Sequence, residues 1–253
     1  MSSISRRKLI LGGLAATAGA AGLGVAARLA EKYALIPPDH GGIYGPGETL
    51  NYAFQRLVAR RSPAVEWPRS KISNPPFPNE IVPPLNDAFK RLHAGGFADW
   101  RLTIDGLVDR PGSFSLDQLR SYPRNSQITE VACEEGWSYV AEWTGVRLSH
   151  VLNIVGVQRR ATHVVYLSIQ PEWWDSVDID EAMHPQTFLT YGINGTELPV
   201  GHGGPLRIRV PRQLGYKSVK FITHITVTDD LKKFGKGLGS SEPETGYAWY
   251  AGI

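Results

Sequence analysis

One cysteine, Cys133, stands in 253 residues, and this limits what the chain can be more than any other feature. No internal disulfide can form, so a disulfide-stapled scaffold is excluded and the thiol needs another role. Three roles compete: a buried small hydrophobe, a nucleophile or redox thiol, and a thiolate ligand to a soft metal. The flanks narrow the choice. Ile128, Val131 and Cys133 sit among polar residues in a strand-like run, and Glu134-Glu135-Gly136 breaks it. The thiol therefore falls at a strand end, where a side chain can face a cleft. Two adjacent carboxylates raise the pKa of a free thiol, which argues against an activated nucleophile. A bound cation reverses that penalty, because a coordinating thiol is deprotonated outright.

The remaining pattern is that of an α+β domain. The chain is 42% hydrophobic and 20% charged, with 27 Gly and 18 Pro, as in a loop-rich, strand-containing protein. Its length suits one large domain or two small ones. Period-two alternation predicts a strand over Arg101–Val108. Ser115 with Gln118 three residues later is a capping box, which predicts a helix over Leu116–Tyr122 stopped by Pro123. A second helix is predicted over Leu148–Val155, capped by Gly156. A buried strand follows over His163–Ile169, and a helical turn over Asp180–His184 ends at Pro185. Phe188–Ile193 followed by Asn194-Gly195 predicts a hairpin, because Asn-Gly supplies the positive φ angles of a type I′ turn. Leu206–Val210 and Ser218–Thr228 complete the strands. No glycine-rich βαβ fingerprint is present, so neither a dinucleotide nor a nucleoside triphosphate fold is supported.

The amino-terminal third reads differently. Residues 1–30 carry Arg6, Arg7, Lys8 and Arg28 and no acid, which leaves 23 basic against 24 acidic residues in the rest. With no basic excess there, nucleic acid is not expected as a partner. Ser5-Arg6-Arg7-Lys8 precedes an apolar, Gly/Ala-rich run from Leu9 to Ala27, which resembles a twin-arginine export signal. The run is long enough to span a bilayer, so a retained anchor is the alternative; its Gly and Ala content favours export. The expectation is a protein in the periplasm or on the outer face of the cytoplasmic membrane, carried by the twin-arginine export machinery. Residues 31–100 are punctuated by Pro and Gly and read as a wrapping segment. Within it the spacing predicts one helix over Leu50–Arg61, with Leu50, Phe54, Leu57 and Val58 on one face. Residues 101–253 form the main domain.

A second group of residues follows much later. Gly201-His202-Gly203-Gly204-Pro205-Leu206-Arg207 and Gly215-Tyr216-Lys217-Ser218-Val219-Lys220 set His202, Arg207 and Lys220 among glycines that allow close approach of a ligand. Arg207 can grip a phosphate through two hydrogen bonds, Lys220 adds a point charge and Ser218 a hydroxyl. Singly, such residues are ordinary solvated strand-edge groups.

Together with Cys133-Glu134-Glu135-Gly136-Trp137-Ser138 and Trp143-Thr144-Gly145-Val146, this order of motifs resembles the sulfite oxidase superfamily of molybdopterin-dependent oxidoreductases. The resemblance runs from about Leu102 to Thr228. It implies a strand-rich, sulfite-oxidase-type molybdopterin-binding domain and a molybdenum–molybdopterin cofactor. Cys133 would be the molybdenum ligand; His202, Arg207, Ser218 and Lys220 would hold the pterin and its phosphate. Ser168 stands where sulfoxide reductase relatives have a pterin-contacting Thr, and Asn86-Asp87-Ala88-Phe89 falls near a pterin-contacting loop. Glu135 would line the substrate pocket, while Trp137 and Trp143 read as core aromatics. Two departures separate the chain from the known branches. The Arg-Asn-His signature of sulfite oxidases is missing at Phe77-Pro78-Asn79-Glu80, and the sulfoxide reductase relatives have Asn where this chain has His202.

The expected function is oxo transfer on a small oxyanion or a sulfoxide by an exported monomer. Sulfite oxidation specifically and a non-catalytic module for an anionic ligand are the alternatives. No haem-attachment motif is present, so electrons are expected to pass through a separate haem- or quinone-linked protein. A zinc hydrolase needs three close protein ligands, and no His pair has helical metal spacing.

Overall fold

The computed structural model describes residues 28, 30, 34–42, 45–60, 62–78, 84 and 86–253. The targeting segment predicted at the amino terminus lies outside them, apart from residues 28 and 30, as does Asn79-Glu80. Two five-stranded sheets make the body. In chain order the first sheet contains β1 (Arg101–Gly106), β2 (Gly112–Ser115), β5 (His163–Ser168), β6 (Trp174–Asp178) and β10 (Ile222–Thr228). The second contains β3 (Arg124–Ala132), β4 (Ser138–Arg147), β7 (Phe188–Ile193), β8 (Thr196–Glu197) and β9 (Arg207–Arg209). The first is ordered β2-β1-β10-β5-β6, with only β1 and β10 parallel. The second runs β3-β4-β7-β8, with β9 also on β7, and is antiparallel throughout. Short helices α1 (Gly45–Phe54), α2 (Asp87–Ala94), α3 (Leu116–Ser121), α4 (Leu148–Val155) and α5 (Ile179–Ala182) connect and flank them. The architecture is the α+β arrangement that the patterning predicts.

The largest core joins the two sheets. Leu102 and Ile104 from β1, Val164 and Tyr166 from β5, and Ile225 and Val227 from β10 meet Leu189 and Ile208 of the second sheet. The apolar face of α4, Leu148, Val151, Leu152 and Val155, closes it, each side chain at most 1% exposed. Burying residues of this size contributes about 1.5–3 kcal/mol apiece. A smaller cluster of Val131, Tyr139, Ala141, Trp143, Ile193 and Leu198 forms on the second sheet. It packs against β3 and β4, the paired strands that lead into and out of the thiol-bearing turn.

Local signals mostly gave the expected elements. Ser115 Oγ accepts from Gln118 N and Gln118 Oε1 accepts from Ser115 N, the capping box of α3. Asn194 and Gly195 take φ of 48° and 80°, as the β7–β8 turn requires. Other boundaries differ. β1 stops at Gly106 rather than Val108: its φ is 83°, and a Cβ there would sit 2.1 Å from the Val227 carbonyl oxygen. The strand predicted from Ser218 begins only at Ile222, because Phe221 takes φ 57° and turns the chain.

The helix predicted over Leu50–Arg61 begins earlier, at Gly45, and passes into a π-helical turn at Gln55–Ala59. The four apolar residues do share one face, and that face points outward. Leu50, Phe54, Leu57 and Val58 are 73%, 60%, 63% and 66% exposed, while Tyr52 is buried against Trp249 and Tyr250. Carboxylates fix this orientation. Tyr52 Oη donates to Asp178, and the Arg56 guanidinium donates to Asp178 and Asp180, each at 2.7 Å. Beyond the helix, the Pro-rich run lies along the second sheet: Trp67 N donates to Ile128 O and Ser73 N to Val140 O. It thereby covers an edge that would otherwise offer unpaired backbone groups.

Candidate active site

The turn from β3 into β4 presents the thiol. Cys133 N donates to Trp137 O and Gly136 N donates to Cys133 O, so the chain reverses within four residues of the cysteine. The side chain is 9% exposed, with Sγ 3.3 Å from Glu134 Oε2 and 3.8 Å from Glu135 Oε2. Burial pushes the thiol up to about 12, and the hydrogen bond and charge of Glu134 and the charge of Glu135 push it the same way. The sequence attributes this shift to the carboxylates; burial is in fact the larger cause. A thiol in this state is protonated at neutral pH and is no nucleophile. Glu135 accepts from Trp137 Nε1 at 2.8 Å, so Trp137 belongs to the site wall. Trp143, fully buried, is the core aromatic the sequence suggests.

A basic group of residues lines the same cavity as the thiol. His202 ends a 3-10 turn, Val200–His202, set by Pro199. Arg207 on β9 donates from Nη1 to His202 O at 3.0 Å and from Nη2 to Ser218 O at 2.6 Å. Its Nε, fully buried, has no hydrogen-bond partner among the described residues. Ser218 Oγ accepts from Arg209 Nη1 and from Val210 N, and its own proton remains available to donate. Lys220 Nζ donates to Gly201 O at 3.0 Å. Burial, then the positive charges of Arg207 and Lys220, lowers the His202 imidazole to about 4. His202 is therefore neutral at physiological pH, and the strong positive potential here comes from the two longer side chains.

These walls enclose a cavity of about 280 Å³. Cys133, Glu135, His202, Arg207, Ser218 and Lys220 all line it, so six of the site residues expected from sequence meet in one place. Ser168 does not line it. Its hydroxyl accepts from Gln170 N at the end of β5, beside Ile169, whose carbonyl accepts from Asn86 Nδ2. The loop expected at Asn86–Phe89 thus meets the Ser168 segment, which adjoins the cavity wall: Ser168 N donates to the carbonyl of Trp173, a lining residue.

Several wall residues were not anticipated. Trp173, Trp174, Tyr139 and Tyr216 make an aromatic rim, and Glu134 and Glu242 add acids to the lining. Burial, then the charges of Asp175 and Glu134, pushes the Glu242 carboxyl up to about 7. Arg209 sits behind Arg207; their guanidinium carbons lie 5.0 and 5.2 Å from the Trp143 ring centroid. The alternation Arg207-x-Arg209 on one strand face was a readable signal for the second arginine. Nothing local marked Glu242, which tertiary packing of the carboxy-terminal segment brings in. Among the described residues, no cluster of three or more His, Cys, Asp and Glu side chains is placed to hold a metal.

Comparison with known proteins gives a consistent set of matches. Residues 91–234 match the model of the oxidoreductase molybdopterin binding domain family. A protein of Azospira oryzae assigned as the YedZ1 subunit of a protein-methionine-sulfoxide reductase is 33% identical over 186 residues, 74% of this chain and 66% of that protein. The protein-methionine-sulfoxide reductase catalytic subunit MsrP of Xanthomonas campestris is 37% identical over 147 residues, 52% of this chain and 46% of MsrP. The chain thus spans between about half and two thirds of these curated relatives. Among solved structures, the sulfane dehydrogenase SoxCD of Paracoccus pantotrophus superposes with a TM-score of 0.50 at 25% identity, covering 52% of this chain and 39% of that one.

Proposed function

The chain belongs to the oxidoreductase molybdopterin-binding domain family, among the molybdopterin oxidoreductases of the sulfite oxidase superfamily, and from that premise we propose that it reduces a sulfoxide. The observation that carries this reading is the polarity of the cavity. Glu134 and Glu135 lie 3.3 and 3.8 Å from the thiol sulfur and Glu242 feels the charge of Glu134, while Arg207 and Lys220 act together on His202 elsewhere in the lining. The acids around the thiol repel a small oxyanion such as sulfite and tolerate a neutral sulfoxide. The names of the sulfoxide reductase relatives agree with the same choice.

The residues present fit the cofactor this family implies. Arg207 lines the cavity, its two Nη groups are held by the His202 and Ser218 carbonyls, and its buried Nε has no hydrogen-bond partner among the described residues, so a guanidinium is set in place with donor capacity to spare for an anion. Arg207, Lys220, Ser218 and neutral His202 would hold the pterin and its phosphate, and Cys133 would ligate molybdenum. Bound there, the group supplies a metal that exchanges two electrons while an oxygen atom moves. The protein does the rest. Cys133 must lose its proton to bind a metal, and Glu134 Oε2, 3.3 Å from Sγ, is placed to take it. Sulfoxide reduction consumes two electrons and two protons and releases sulfide and water. Glu242, its carboxyl raised to about 7, is about half protonated at neutral pH and lines the same cavity. The aromatic rim of Trp173, Trp174 and Tyr216 narrows access of bulk water. Electrons would come from a separate haem- or quinone-linked protein, and the twin-arginine-like segment would place the enzyme outside the cytoplasm.

The test is Cys133→Ala in protein made by a host competent in pterin synthesis. Sulfoxide reduction with a reduced viologen donor is expected to fall to background while the circular dichroism of the fold is unchanged. Sulfite with ferricyanide as acceptor is the second arm: turnover on sulfite but not on a sulfoxide overturns the substrate assignment. Wild-type protein that holds its fold without near-stoichiometric molybdenum supports the non-catalytic binding module instead.

A further inference from the structure

The apolar stripe of helix α1 is the feature that the reaction does not use. An amphipathic helix ordinarily turns its apolar stripe to the core. Here the polar face is docked, by Tyr52 and Arg56 on Asp178 and Asp180 and by Arg212 Nη2 on the Ala59 carbonyl. Leu50, Phe54, Leu57 and Val58 are left facing solvent.

We infer that this stripe lies on a lipid bilayer, with α1 in the plane of the membrane surface. Two arguments select lipid over a protein. First, the stripe follows the apolar run Leu9–Ala27 in sequence, with seventeen residues, 28–44, between that run and Gly45. Within that connection Asp39 accepts from Trp249 N, and Trp249 packs on Tyr52 of α1, so only residues 28–33, roughly 20 Å when fully extended, separate the run from the surface that carries α1. Second, a single helix face supplies on the order of a few hundred Å², short of the roughly 800 Å² per partner of a stable protein interface. A short helix with Leu and Phe outward and its charges neutralised beneath suits the boundary between head groups and acyl chains. The inference rests on the apolar run being kept as an anchor after export, and it stands apart from the sulfoxide reading, since it would hold for any substrate.

The test is hydrogen exchange on the full-length, cofactor-loaded protein, with and without vesicles of phosphatidylethanolamine and phosphatidylglycerol. Amides of residues 45–60 are expected to slow by about tenfold or more on vesicles, since burying one Leu or Phe is worth that much. The double variant Phe54→Ser, Leu57→Ser should lose this protection while still sedimenting with vesicles through the amino-terminal run and keeping wild-type turnover. Unchanged exchange of residues 45–60 on vesicles overturns the inference, as does failure of the wild type to sediment with them. Protection that appears without vesicles and grows with protein concentration also overturns it, in favour of a second copy of the chain. If the double variant loses the same protection in dilute, vesicle-free protein, the stripe is covered by the chain itself and the inference fails.

Discussion

Helices α1 and α4 carry similar apolar patterns and use them in opposite ways. In α4, Leu148, Val151, Leu152 and Val155 point inward and are at most 1% exposed. In α1, Leu50, Phe54, Leu57 and Val58 point outward and are 60% exposed or more. The difference lies in the other face of each helix. Among the described residues no ion pair engages Ser149, His150 or Asn153 of α4, so burial of the apolar side decides its orientation. Tyr52 and Arg56 of α1 meet Asp178 and Asp180, and Tyr52 also enters an aromatic cluster with Trp249 and Tyr250. Hydrogen bonds to charged groups contribute about 1.5–3 kcal/mol each when partly buried. That rivals the apolar gain forgone in exposing one or two of the stripe residues. A periodic pattern therefore identifies the apolar face of a helix but not where that face points.

The largest effect that tests this contrast is in α4. Leu152→Ala should cost about 2–5 kcal/mol of global stability, because the side chain is fully enclosed and its loss leaves a cavity. The shift in the denaturant midpoint measures it. A loss under about 1 kcal/mol would mean that α4 is no better packed than α1, and the contrast would fail.

Much of this was legible in the chain because the signals were local. The capping box of Ser115 and Gln118, the Asn194-Gly195 turn and the Gly156 cap each specify backbone within a few residues. The end of β1 at Gly106 was not, since it depends on the approach of the Val227 carbonyl from a strand far along the sequence. The direction in which α1 faces was not legible for the same reason: Asp178 and Asp180 lie more than a hundred residues away. The site divides in the same manner. Cys133, Glu135, His202, Arg207, Ser218 and Lys220 were readable as motifs, and the fold brings them to one cavity. Ser168 was placed by analogy of position alone and lies outside it. Glu242 and Trp174 carry no motif; they reach the cavity because Ser241 Oγ donates to Trp174 O and pins the carboxy-terminal segment beside β6.

A second, smaller effect concerns pH. Burial, then the hydrogen bond and charge of Asp39, pushes the Glu48 carboxyl in α1 from 4.5 up to about 8. The folded helix therefore binds a proton more tightly than the unfolded chain. Its contribution to docking is complete below about 4.5 and is lost as pH rises through about 8. Protection factors for residues 45–60 should fall between about pH 5 and pH 9, whereas α4, which has no carboxylate of its own, should show no matching change. Glu48→Gln should flatten the response of α1. A fall of equal size in both helices would place the titrating group elsewhere.

The smallest expected effect is the most discriminating. Leu57 is 63% exposed, so Leu57→Ser removes little buried apolar area, and its effect on stability without vesicles should stay within about 0.5 kcal/mol. The same exchange at Val151, whose side chain is fully buried, exceeds that several-fold, through lost packing and an enclosed hydroxyl. Denaturant unfolding of the two variants side by side measures the gap. If Leu57→Ser costs as much as Val151→Ser, the outward stripe is covered in the free protein, and the opposition between α1 and α4 disappears. If it costs nothing in solution but weakens contact with vesicles, the stripe serves an external surface rather than the fold.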